Sequence, residues 1–142
     1  MTGSRFSFDN ISPADVASTL RGLASWKSCG SDGLTNMLLK LSADDVSFPL
    51  SAIFNRSLGV GIFPDSWKDG IVSPVFKESK DPSLPESYRP ITLLSCPSKV
   101  FEHCVRDQLT TFCFNNDILP VEQFGFLKGR SAEWQLLSVL EE

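Results

Sequence analysis

The sequence has little that would bind metal or staple a secreted fold. Of its 142 residues only His103 is histidine, and the four cysteines, Cys29, Cys96, Cys104 and Cys113, share no C-x-x-C spacing. A zinc site is therefore not expected, and without a secretory leader neither is a disulfide framework. All four cysteines read as reduced thiols, with Cys104 and Cys113 as small core residues among phenylalanines. No apolar run approaches the roughly 18–20 residues that a membrane span requires. Met1-Thr2-Gly3-Ser4-Arg5-Phe6 lacks the basic stretch and apolar segment of a signal peptide, so an intracellular protein, in nucleus or cytoplasm, is expected. Positive charge is also short: Lys and Arg total 13 against 17 Asp and Glu, for a net charge of −4. That balance counts against a free-standing nucleic-acid binder, though not against one piece of a larger one whose basic surfaces lie elsewhere. Internal repeats and low-complexity tracts are absent.

What the chain does have is core. Eleven phenylalanines and three tryptophans in a 42% hydrophobic chain describe a globular sequence and not a disordered one. Residues 12–27 read as an amphipathic helix, with Ser12 as cap, Pro13 in the first turn, and Val16, Leu20, Leu23, Ala24 and Trp26 at helical spacing. A turn-rich loop, Ser28 to Gly33, precedes a short helix over Leu34–Leu41 and a longer one over about Pro49–Leu58. The middle changes character. Gly70 to Phe76 is short, β-branched and bounded by glycine, and Pro74 marks it as an edge or irregular strand. Residues 78–87 are a polar loop, and Tyr88 to Leu94 is extended again. Ser98–Phe112 reads as a helix with Phe101, Val105, Leu109 and Phe112 on one face. Ser131 caps a last helix through Trp134, Leu137 and Leu140. That apolar face, within two residues of the terminus, reads as packing on something beyond it, and the chain as truncated. The expected class is α+β: helices, a small antiparallel sheet, then helices.

Four stretches, in order, resemble the opening motifs of reverse transcriptases from non-LTR retrotransposons. They are Ser31-Asp32-Gly33-Leu34 with Leu38-Leu39-Lys40; Phe63-Pro64-Asp65-Ser66-Trp67-Lys68 leading into Ile71-Val72-Ser73-Pro74-Val75-Phe76-Lys77; Tyr88-Arg89-Pro90-Ile91-Thr92-Leu93-Leu94 with Ser98-Lys99-Val100-Phe101-Glu102; and Gln123-Phe124-Gly125-Phe126 with Gly129-Arg130-Ser131. Each alone is a weak signal; the order of all four makes a strong one. The resemblance implies part of a right-hand polymerase fold, with residues 1–30 a helical lead-in and 31–142 a fingers region from which palm and thumb are absent. It implies nucleotidyl transfer from a deoxynucleoside triphosphate onto a DNA primer over an RNA template in the full-length enzyme, with magnesium clamping the reacting oxygens. The family's metal-binding aspartates follow the fourth motif and do not occur here, so no catalytic or metal-ligating residue is assigned.

The same resemblance gives Lys77 and Arg89 to the triphosphate of the incoming nucleotide, and a point charge beside a forked donor suits that ligand. Alone, each would read as a solvated surface charge. Gln123, Phe124, Gly125 and Phe126 fall near template and nucleotide, with Lys128 and Arg130 toward template phosphates; core packing of the two phenylalanines and solvated cations are the plain alternatives. Trp67 reads as core, and Lys99 with Glu102 as a surface pair one helical turn apart. Ala43-Asp44-Asp45 mimics a polymerase catalytic tripeptide, but it precedes the fingers motifs and no aromatic precedes it. Asp44 reads instead as a helix start or turn cap. A competing function stays open: an acidic, non-catalytic interaction or scaffold module derived from the fingers fold.

Overall fold

The computed structural model describes residues 5–120, 122–125, 127 and 129–140, without the side chains of 132 and 138–140. Five helices and one two-stranded antiparallel sheet make the architecture α+β: α1 (Pro13–Arg21), α2 (Asn36–Leu41), α3 (Ala43–Val60), β1 (Gly70–Phe76), β2 (Tyr88–Leu94), α4 (Cys96–Asn115) and α5 (Ala132–Leu140). Ser7–Asp107 forms one compact unit. Arg5 and Phe6 join the described residues of Gln108–Glu142 in the other.

Local signals fix most helix starts. Ser12 and Asp15 close a reciprocal capping box on α1: the Asp15 amide donates to Ser12 Oγ at 3.2 Å and the Ser12 amide to Asp15 Oδ2 at 3.0 Å. Thr35 caps α2 through the Leu38 amide. Ser131 caps α5 through the Trp134 amide.

Two expectations need correction. The first helix stops at Arg21 with Gly22 as its cap, so Trp26 is off the helix and 86% exposed. The long helix does not begin at Pro49 but six residues earlier, at Ala43. Ala43, Ser47, Ser51 and Phe54 form one buried stripe at helical spacing. Burying that stripe, together with the Arg21–Asp44 ion pair at its start, outweighs the amide bond that Pro49 forgoes inside the helix. The aspartate pair of the decoy tripeptide thus lies in the first turn of α3, where negative charge suits the helix dipole.

In the first unit the core is Ile11, Val16, Leu20, Leu39, Ala43, Phe54, Cys96, Val100, Phe101 and Cys104. Phe54 stacks on Phe101 with ring centroids 4.9 Å apart, and Phe63 and Trp67 close round them. Each such aromatic contact adds about 0.5–1.5 kcal/mol beyond its area, so Trp67, half-buried, packs against this core. Ile11 enters this core on an extended segment whose backbone would otherwise be left unbonded. Asn55 takes both its groups, accepting from the Ile11 amide and donating to its carbonyl, each at 2.8 Å, while Ser51 donates to the same carbonyl at 2.9 Å.

On α4 Arg106 pairs with Asp107 at 2.9 Å and His103 Nδ1 lies 3.1 Å from Asp107 Oδ2, and the expected Lys99–Glu102 pair is not among the described ion pairs. In the second unit Phe6 meets Phe112 edge-on at 5.1 Å. Trp134, Leu136 and Leu137 of α5 stand exposed.

Candidate functional site

The site read from the second and third motifs is the β1–β2 hairpin. Its register pairs Val75 with Arg89 and Phe76 with Tyr88, and the next rung is the Lys77 amide donating to the Ser87 carbonyl at 2.7 Å. Residues facing each other across antiparallel strands share a sheet face, and faces alternate along each strand. Lys77, Val75, Arg89 and Ile91 therefore lie on one face, with Lys77 and Arg89 as diagonal neighbours about 7–8 Å apart at the backbone. Phe76 and Tyr88 occupy the opposite face, ring centroids 5.5 Å apart.

The two cations differ in freedom. Lys77 is half-buried, and its ammonium donates to the Glu86 carbonyl at 2.7 Å. That bond ties the end of β1 to the base of the loop and leaves two of its protons for another acceptor. Arg89 is exposed, and among the described residues its guanidinium has neither a hydrogen-bond nor an ion-pair partner. A forked donor without an internal partner is available to an external anion.

The connecting loop is built, not slack. Asp81 Oδ1 accepts from the Ser83 amide at 2.9 Å and from its hydroxyl at 2.7 Å. These bonds hold the Asp81 carboxyl below its ordinary pKa, the backbone amide contributing most. Tyr88 donates its hydroxyl to the Pro82 carbonyl at 3.0 Å, and Ser79 sits at φ 67°. The loop thus fixes where β1 ends and β2 begins, and hence where Lys77 and Arg89 stand.

The fourth motif lies in the other unit as a closed turn. Gln123 donates through Nε2 to the Gly125 carbonyl at 2.9 Å, Arg130 Nη1 donates to the Gln123 carbonyl at 2.9 Å, and the Arg130 guanidinium lies 5.1 Å from the Phe124 ring centroid. Arg130 is therefore a clasp for its own turn. Nothing in the sequence announces this, because its acceptor is a backbone carbonyl, seven residues back. Phe126 and Lys128 lie outside the described residues. Glu86, as the Lys77 acceptor, was illegible for the same reason as the Arg130 clasp. Among the described residues no three His, Cys, Asp or Glu side chains converge on a point where a metal ion could sit.

No protein-family model matches the chain. Curated relatives do. The chain is 35% identical over 122 residues to a probable RNA-directed DNA polymerase from transposon BS of Drosophila melanogaster, which spans 86% of this chain and 14% of that protein. It is 34% identical over 130 residues to the corresponding protein of transposon X-element, 92% of this chain and 14% of that one. Against the RNA-directed DNA polymerase from mobile element jockey it is 34% identical over 126 residues, again 14% of the relative. The class that the motif order and these relatives define is the RNA-directed DNA polymerases. Within that class the relatives, 34–35% identical over most of the chain, are enzymes of Drosophila retrotransposons, and the chain spans about one-seventh of their length, 14%.

Proposed function

We propose that the chain serves as the fingers portion of a retrotransposon RNA-directed DNA polymerase, with Lys77 and Arg89 holding the triphosphate of the incoming deoxynucleotide. The observation that carries this reading is the unpartnered Arg89 guanidinium on the hairpin face it shares with Lys77. Gln123, Phe124, Gly125 and Arg130 belong in this reading to a turn near template and nucleotide, with Phe126 and Lys128 in the same motif. The RNA template, the DNA primer, and palm and thumb are the implied partners. Magnesium would be held by palm aspartates absent from this sequence. The described carboxylates here do not fit it, Asp44 being engaged by Arg21, so no step is derived through the metal. No described helix is long and apolar enough to cross a membrane.

One observation favours a second reading: the net charge of −4 suits an acidic interaction or scaffold module better than a nucleic-acid surface. The two separate in one experiment. This chain replaces the matching segment of the jockey polymerase, and primer extension on an RNA template is measured with magnesium. The chimera should extend the primer, the isolated chain should not, and Arg89→Ala in the chimera should raise KM for deoxynucleotide. A charge-assisted bond contributes about 1.5–3 kcal/mol, so the rise should be roughly ten- to a hundredfold. An unchanged KM overturns the triphosphate assignment, and incorporation by the isolated chain overturns the division of labour.

A further inference from the structure

Gly30 lies tight against the backbone of Leu94 and Ser95. A Cβ at that position would lie 2.6 Å from the Leu94 carbonyl carbon and from the Ser95 amide nitrogen, and 2.9 Å from the Leu94 oxygen. Only glycine lets the loop ahead of α2 press this closely on the junction between β2 and α4. The residues flanking the contact are Cys29 on the loop and Cys96, the first residue of α4. Cys29 precedes Gly30 and Cys96 follows Ser95, so the two thiols flank this contact, and a disulfide between them requires Cα atoms about 4.4–6.8 Å apart. Cys29 is partly exposed and Cys96 is buried, and both are free thiols.

We propose that Cys29 and Cys96 form a reversible disulfide that fastens the loop ahead of α2 to the start of α4 when a small-molecule disulfide is present. The Cys29 thiolate attacks one sulfur of the oxidised small molecule and expels the other as a thiol, which takes up a proton. The Cys96 thiolate then attacks Cys29 Sγ in the mixed disulfide and expels the second small-molecule thiol. Two protein thiols are oxidised, and one small disulfide is reduced to two thiols.

Two features bear on the order and rate of these steps. Cys29 is the entry point because solvent reaches it. Cys96 is slower: burial pushes its thiol up, nearby Asp32 and Cys29 add to that rise, and Lys99 and the Gly30 amide oppose it. The second step should therefore quicken as pH rises. Ser95, between the two strands of the contact, has a buried hydroxyl with no partner among the described residues. The Ser95 side chain therefore does not cap the start of α4, and the covalent tie would add to the Gly30 amide's bond to Cys96.

The test treats the 142-residue chain with glutathione disulfide, alkylates the remaining thiols and maps the peptides. The expected product is a Cys29–Cys96 cross-linked peptide, lighter by two hydrogens, that reductant reverses and that forms faster as pH rises. Cys96→Ser should trap glutathione on Cys29, and Cys29→Ser should leave Cys96 as an unoxidised thiol. A stable glutathione adduct on Cys29 in the unaltered chain, with Cys96 still alkylated, overturns the proposal. So does a cross-link that pairs either residue with Cys104 or Cys113. The mapping of the unaltered chain decides the matter even where a variant fails to fold.

Discussion

Pro74 stands directly across from Pro90 in the β1–β2 hairpin. The Lys77–Ser87 rung is hydrogen-bonded, and bonded pairs recur at every second position of an antiparallel ladder, so the pairs at 75, 73 and 71 are bonded too. Pro74 and Pro90 fall on an unbonded pair, where both backbone nitrogens face outward. Neither proline interrupts the ladder, and each removes a donor from one of the two open edges of the sheet. Replacing both with alanine should restore those donors. The expected outcome is a folded chain that self-associates more strongly with concentration. Sedimentation velocity across a concentration series measures this, and identical profiles for the two forms would sink the edge-blocking account.

Arg89 offers a graded test of forked donation. Arg89→Lys keeps the charge but loses the planar pair of donors. In the jockey chimera its KM for deoxynucleotide should fall between those of the parent and Arg89→Ala. If lysine restores the parent value, charge alone is being used and geometry is not.

Phe54 is fully buried and stacked on Phe101. Phe54→Ala should cost about 3–5 kcal/mol, a large share of the roughly 5–15 kcal/mol a small domain has. Urea denaturation followed by tryptophan fluorescence should show the midpoint moving sharply down, because Trp67 packs on the same rings. A midpoint within error of the parent would mean the aromatic cluster contributes little.

The Asp81 carboxyl is held below its ordinary value of 3.8, first by the Ser83 amide and then by the Ser83 hydroxyl. A depressed carboxyl contributes order that is present above the unfolded value and lost as pH falls through the lower folded one. The loop over 78–87 should therefore keep its form above about pH 4 and loosen below it. The Ser83 amide resonance, followed by NMR from neutral to acid pH, should shift with that titration and should not do so in Asp81→Asn.

How much of this was legible in the sequence divides by distance along the chain. The caps at Ser12 and Ser131, the strands over 70–76 and 88–94, and the helix behind Ser98 depend on contacts within one turn or one strand. Composition and spacing announce such contacts directly. The order of four motifs was likewise a property of the sequence alone, and the relatives carry the same name for it. Tertiary structure decided the rest. The start of α3 at Ala43, against the pull of Pro49, followed from a buried stripe that only the packed core rewards. Trp26 fell outside α1 because the helix ended at Gly22. Arg130 turned back on its own loop through a carbonyl that has no signature in a side-chain pattern. Above all, the sharing of one face by Lys77 and Arg89 was a matter of register. A slip of one residue between the strands would have put them on opposite faces with the same sequence, and the bonds inside the 78–87 loop, with Asp81 and Ser83 at their centre, set the register that the candidate site needs.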